Sequence, residues 1–115
     1  MFNYAYSETS EGDQGEARSQ EYQALVHTIV MMEGADASPQ DGVKRIQAIY
    51  DSAQVWTALL QDLASQDNHY TNELKAGIIS IGIYILKHLQ RMRDDKTLTF
   101  ATVIELTNTI KEGLK

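Results

Sequence analysis

The chain has 115 residues, 43% of them apolar, and a net charge of −6 from 10 basic and 16 acidic side chains. That length suits one domain, large enough to bury roughly two-thirds of its unfolded surface. It has no cysteine, which excludes disulfides, thiolate metal sites and thiol nucleophiles. The acidic balance argues against nucleic acid as a bulk partner.

A single proline and 7 glycines argue against disorder and against a loop-rich all-β fold. Residues 1–16 carry no Lys or Arg, so they lack the charged start of a signal peptide. The longest strongly apolar run, residues 76–86, is interrupted by Ser80 and Tyr84 and falls short of the about 20 residues a membrane helix needs. These features predict a cytoplasmic protein with no membrane partner. The net charge hides an asymmetry. Residues 1–74 carry 3 basic and 12 acidic side chains, whereas residues 75–115 carry 7 and 4.

In chain order, residues 1–12 read as an extended N-terminal arm containing Phe2, Tyr4 and Tyr6, and residues 13–115 as the helical domain. Tyr4 and Tyr6 have no core stripe to join; they either tuck back onto the bundle as an anchored terminus or form part of a partner surface, and they are the candidates for partner binding. Asp13 with Glu16 resembles a helix start. Tyr22, Leu25, Val26, Ile29 and Met32 then form one apolar stripe, which Gly34 is expected to end. Ser38-Pro39-Gln40-Asp41 reads as the second start, with a Ser cap and Pro in the first helical position. Its stripe runs Val43, Ile46, Ile49, Ala53, Trp56, Leu59, Leu60 and Leu63, and polar residues 65–68 end it.

The third segment contains a strand-like alternation, with Ile79, Ile81, Ile83 and Ile85 separated by Ser80, Gly82 and Tyr84. The wider window overrides it. Leu74, Ile78, Ile81, Ile85, Leu89 and Met92 keep helical spacing, Thr71 offers a cap, and Lys87, Arg91 and Arg93 suit the C-terminal end of the dipole. A helix apolar almost all round is expected to be the buried central one. Gly77 and Gly82 would mark where a neighbour comes close. The fourth segment carries Phe100, Val103, Ile104, Thr107, Ile110 and Leu114 on one face, with Thr97 or Thr99 as its cap. Its threonines are poor helix formers, so packing must hold it. The expected fold is all-α, a compact single-domain bundle of about four helices with Trp56, Ile81, Ile85 and Phe100 in its core.

No catalytic constellation emerges. His27, His69 and His88 fall on different elements and read as surface or boundary residues, without the spacing of a metal site. Ser80 lacks the Gly-x-Ser-x-Gly context of a nucleophile, and no Gly-rich phosphate cradle occurs. Lys87, Arg91, Arg93 and Lys96 form the basic cluster, which reads first as helix-dipole complement and solubility and second as a phosphate-binding patch for RNA, without stacking aromatics nearby. The residues therefore predict a non-enzymatic binding protein without catalytic, cofactor-binding or metal residues; its oligomeric state is open.

Several residues carry a family resemblance. Trp56, Leu59, Asp62 and Leu63 are followed by Asn68, Glu73-Leu74-Lys75-Ala76 and Ile79-Ser80-Ile81-Gly82-Ile83-Tyr84. Phe100, Ile104-Glu105-Leu106, Ile110 and Gly113-Leu114 complete the order. In sequence and spacing this resembles the flagellar biosynthesis regulator family FlaF over essentially the whole chain. Thr71, Lys75 and Tyr84 stand where the family pattern has Pro, Arg and Trp. The resemblance implies a cytoplasmic protein that binds flagellin as an export chaperone and promotes its synthesis and secretion, in functional interplay with FlbT. Its alternative is a post-transcriptional regulator that binds flagellin mRNA directly.

Overall fold

A computed structural model describes residues 10–65 and 70–114, with side chains from residue 18 onward. Four helices follow one another: α1 (Ser10–Ala37), α2 (Gly42–Ala64), α3 (Asn72–Asp94) and α4 (Ala101–Gly113). There is no strand among the described residues, so the isoleucine alternation in α3 is helical. Short connections make sequential helices antiparallel neighbours. Going round the bundle, α1 packs on α2, α2 on α3, α3 on α4 and α4 on α1. The expected all-α bundle is what forms.

Several boundaries differ from the sequence expectation. Ser10, Glu11 and Gly12 belong to α1, so the helix begins inside the stretch read as an arm. Tyr4 and Tyr6 lie outside the described residues. Gly34 does not stop α1, which continues to Ala37. A glycine ends a helix by turning left-handed, and no described glycine has a positive φ. Instead Met32 and Ala35 are buried on either side of it and hold the helix on its course.

The second start also moves. Ser38 to Gln40 form a turn in which the Asp41 amide donates to the Ser38 carbonyl at 2.9 Å. Asp41, not Ser38, caps α2, its carboxylate accepting from the Lys44 amide at 3.1 Å. At α3 the expected Thr71 cap forms, its hydroxyl accepting from the Leu74 amide at 3.2 Å. The cap of α4 differs in kind. The cap position falls on Phe100, not on Thr97 or Thr99, although the Thr99 hydroxyl accepts from the Ala101 amide, the first of α4, at 3.3 Å. The Phe100 amide donates to the Asp36 carboxylate of α1, at 3.1 and 3.3 Å to its two oxygens. An acid 64 positions upstream thus sits at the positive end of α4.

The core draws on all four helices, through Leu25 and Met32, Ile49, Trp56 and Leu63, Ile78, Ile85 and Leu89, and Phe100 and Val103. The Trp56 indole donates to the Thr107 hydroxyl at 3.3 Å, tying the diagonal pair α2 and α4 through fully buried groups. Gly82 lies where α3 meets α2. A Cβ there would stand 2.7 Å from Leu60 Cδ2 and 3.0 Å from Trp56 Cε3. Gly77 marks no such approach, since nothing lies within 4 Å of a Cβ added there. On the α1–α4 seam, the Lys111 ammonium rests 5.5 Å from the centre of the Tyr22 ring.

Two apolar expectations change sides. Val43 and Ile46 are each 66% exposed, although they head the α2 stripe. Nor is α3 the central helix, because it packs on α2 and α4 and leaves Leu74, Ile83 and Tyr84 nearly half exposed. Among the expected core residues, Trp56, Ile85 and Phe100 are fully buried, whereas Ile81 is only partly covered.

Candidate interaction surfaces

The seam between α3 and α4 is the most open of the four. It forms an apolar groove of about 410 Å³ lined by Ser80, Ile81 and Tyr84 of α3 and Thr102 and Leu106 of α4. Helical spacing brings Ser80, Ile81 and Tyr84 to one edge of α3, while Thr102 and Leu106 face them one turn apart. The groove has a fixed upper end. His88 is buried, against the surface or boundary position expected for it, and its Nε2 donates to the Thr99 carbonyl at 3.0 Å. The Tyr84 ring stacks towards the same imidazole, with centroids 6.5 Å apart. This bond holds the start of α4 beside α3, and the two helices part below it around Tyr84 and Leu106.

Past the groove, the α3 edge becomes basic. Ser80, Tyr84, Lys87 and Arg91 succeed one another at helical intervals, and Lys87 and Arg91 are exposed. Neither belongs to an ion pair among the described residues. Asp94, on the same helix, is exposed, and the Asp95 carboxylate is engaged by the Thr97 hydroxyl and amide, which hold it below its ordinary range.

A second concave surface, of about 350 Å³, lies between α1 and α2. Ala24, Leu25, Val55, Ala58 and Leu59 line it, with Glu21 and Asp62 at one end. Burial and the neighbouring Asp62 carboxyl push the Glu21 carboxyl up to about 7, against the opposing pull of Tyr70 and Arg18. Tyr70 is itself raised, by burial and then by the Glu21 charge, and the Arg18 guanidinium lies 5.6 Å from its ring centre. Glu21 is protonated more readily in the folded state than in the unfolded one. Its contribution is therefore full below about 4.5, the ordinary value, and is lost as pH rises through about 7. Glu21 is only partly buried, so solvent screening limits the effect to about 1 kcal/mol. Glu21→Gln should match the parent in thermal melts near pH 5 and exceed it near pH 8. Parallel pH profiles for the two proteins would overturn this assignment.

The third surface is the outer face of α2, where Val43, Ile46 and Tyr50 are exposed. The Tyr50 hydroxyl there accepts from the Gln54 side chain at 2.8 Å. His27 is exposed and 3.8 Å from Asp51, and His69 lies outside the described residues. No group of three or more metal-ligating side chains comes together among the described residues, and no described helix is long and apolar enough to cross a membrane. The residues that line the groove and the carboxyl pair both escaped the sequence reading. The signal for the groove was present as the surplus of apolar residues on α3, beyond what one buried face needs. The Glu21–Asp62 pair left no local signal, because its members are 41 positions apart.

Two observations bear on identity: an all-helical bundle, and a core whose Trp56, Leu59, Leu63 and Phe100 keep the order of the resemblance described above. No curated protein and no solved structure matches the chain. The sequence model of the family described as flagellar protein FlaF, in contrast, matches residues 3–114, nearly the whole chain. The protein belongs to the flagellar protein FlaF family.

Proposed function

We propose that this protein is a non-enzymatic flagellar factor that binds flagellin in the cytoplasm, keeps it competent for export and promotes its synthesis. The observation that carries the reading is the apolar groove between α3 and α4, in a chain of a flagellar family. A binding protein for an unassembled subunit must cover an apolar helical face without burying its own recognition surface in its core. Tyr84 and Ile81 at the groove meet that need: one is nearly half exposed, the other partly covered. Binding of an unfolded amphipathic segment would be coupled to its folding, with apolar contact as the driving term. The net charge of −6 keeps such a complex from aggregating. No metal or cofactor enters this activity, and interplay with FlbT belongs to the same proposal.

Full-length flagellin titrated into the protein, followed by calorimetry and size exclusion, is expected to give a stable complex. The variant Thr102→Arg alters an exposed groove position and should weaken binding about tenfold or more while leaving the unfolding midpoint unchanged. Absence of any complex with flagellin would overturn the reading. Deleting residues 1–9 in the same titration tests Tyr4 and Tyr6 as contacts, and unchanged affinity would remove them. A shift of flagellin 5′ leader RNA at low salt, abolished by Lys87→Ala, Arg91→Ala and Arg93→Ala together, would move the function to the messenger.

A further inference from the structure

The groove has a direction. Its apolar part, at Ile81, Tyr84 and Leu106, lies against the middle of α3, and Lys87 and Arg91 continue the same edge towards the end of α3. From Tyr84 to Arg91 the helix rises about 10 Å, roughly two turns. Side chains on a helix lean back towards its N-terminus, which for Lys87 and Arg91 is the direction of the groove. The first turn of α4 lies at this end too, held beside α3 by the Thr99–His88 bond, and its positive end is already met by the Asp36 carboxylate. Two exposed cations therefore gather at one extremity of the apolar groove, in a protein otherwise rich in acid. As noted, neither cation belongs to an ion pair among the described residues.

We propose that the groove receives an amphipathic helix from a protein client in one orientation. The apolar stripe of that helix lies on Ile81, Tyr84 and Leu106, and carboxylates at its N-terminal end face Lys87 and Arg91. Carboxylates belong at that end because acids are stable in the first turn of a helix, where they complement its own dipole. The bound segment therefore starts beside the C-terminal half of α3 and runs antiparallel to it. Apolar contact supplies affinity, and the charges supply direction. This inference rests on the groove being the client site, and it adds the chemistry by which a client is chosen.

The test uses two synthetic amphipathic peptides of about five turns, identical in composition and in apolar stripe. One carries its Glu residues in the first turn, the other in the last. The whole protein is titrated with each by calorimetry at low and at moderate salt. The peptide with acid in its first turn is expected to bind about tenfold tighter, with the difference shrinking as salt is raised. In Lys87→Glu/Arg91→Glu the preference should vanish or invert, with the circular-dichroism spectrum unchanged. Equal affinities, a preference that survives the charge reversal, or no binding of either peptide would each overturn the inference. Full-length flagellin separates the two readings. If flagellin binds the groove but ignores the charge reversal, the orientation fails and the client stands. If the peptides discriminate and flagellin never binds, the client fails and the orientation stands.

Discussion

Trp56→Ala is expected to cost about 3–5 kcal/mol of unfolding free energy, the range for truncating a large aromatic in a packed core. Two terms add up in this variant. The indole is fully buried, so its removal forfeits apolar transfer and leaves a cavity that helices on three sides can only partly close. Its Nε1 also donates to Thr107, a residue itself fully buried. Thr107 can turn its hydroxyl back to a carbonyl of its own helix, so the lost bond is the smaller term. Trp56→Phe isolates it: most of the packing remains, and the expected cost falls to about 1–2 kcal/mol. Domains of this kind are stable by about 5–15 kcal/mol, so the alanine variant removes a large part of the total. Urea titration followed by far-ultraviolet circular dichroism measures both, because the fluorescent reporter is itself deleted. A loss below about 1 kcal/mol in the alanine variant would mean that the ring does not hold α2 against α3 and α4.

The same tryptophan marks how far the sequence could be read. Its place on a stripe with Leu59 and Leu63 made α2 legible as a helix with a buried face, and the structure buries all three. The stripe was drawn too long at its start. Val43, Ile46 and Ile49 are spaced by three, and each such step falls about 60° short of a full turn. Over two steps the side chain swings about 120°, taking Val43 off the face that Ile49 occupies. Periodicity taken pair by pair hides this drift. In α3 the isoleucine spacing gives a helix, but an excess of apolar residues does not by itself mean central burial. Four helices in a ring leave each one an outer face. The excess on α3 appears there and along the groove, which is where the candidate site lies. What could not be read were the pairings made across the chain, Asp36 with Phe100 and Glu21 with Asp62. Nothing local distinguishes these carboxylates from a solvated acid.

Arg45 belongs to that unreadable class, and its removal should be the costliest change away from the apolar core. The side chain leaves the first turns of α2 and crosses to the end of α3. There its Nη2 donates to the carbonyls of Met92 at 2.9 Å and Asp95 at 3.0 Å, and its Nη1 to that of Leu98 at 2.9 Å. The last carbonyls of a helix have no partners within it, and they form the negative end of its dipole. A guanidinium presents several donors in one plane, so a single side chain can satisfy the Met92 carbonyl of α3 together with the Asp95 and Leu98 carbonyls beyond it and fix the chain that leads into α4. Arg45→Met keeps the stem and removes the donors, which should cost about 2–3 kcal/mol, given that bonds to charged groups are the stronger ones. Arg45→Lys should recover less than half, because a compact ammonium cannot span carbonyls from Met92 to Leu98. The loss should be local before it is global. Hydrogen exchange at residues 95–100 is expected to quicken in Arg45→Met ahead of the α1 and α2 amides, since His88 and Asp36 would be left to hold the start of α4. If Arg45→Lys matches the parent in urea, one carbonyl bond suffices and the three-way clamp is wrong. If exchange quickens uniformly along the chain, the guanidinium serves the whole bundle instead of the α3–α4 connection. A loosened connection would also splay the groove at its fixed end, so Arg45→Met should weaken client binding without touching a single groove residue.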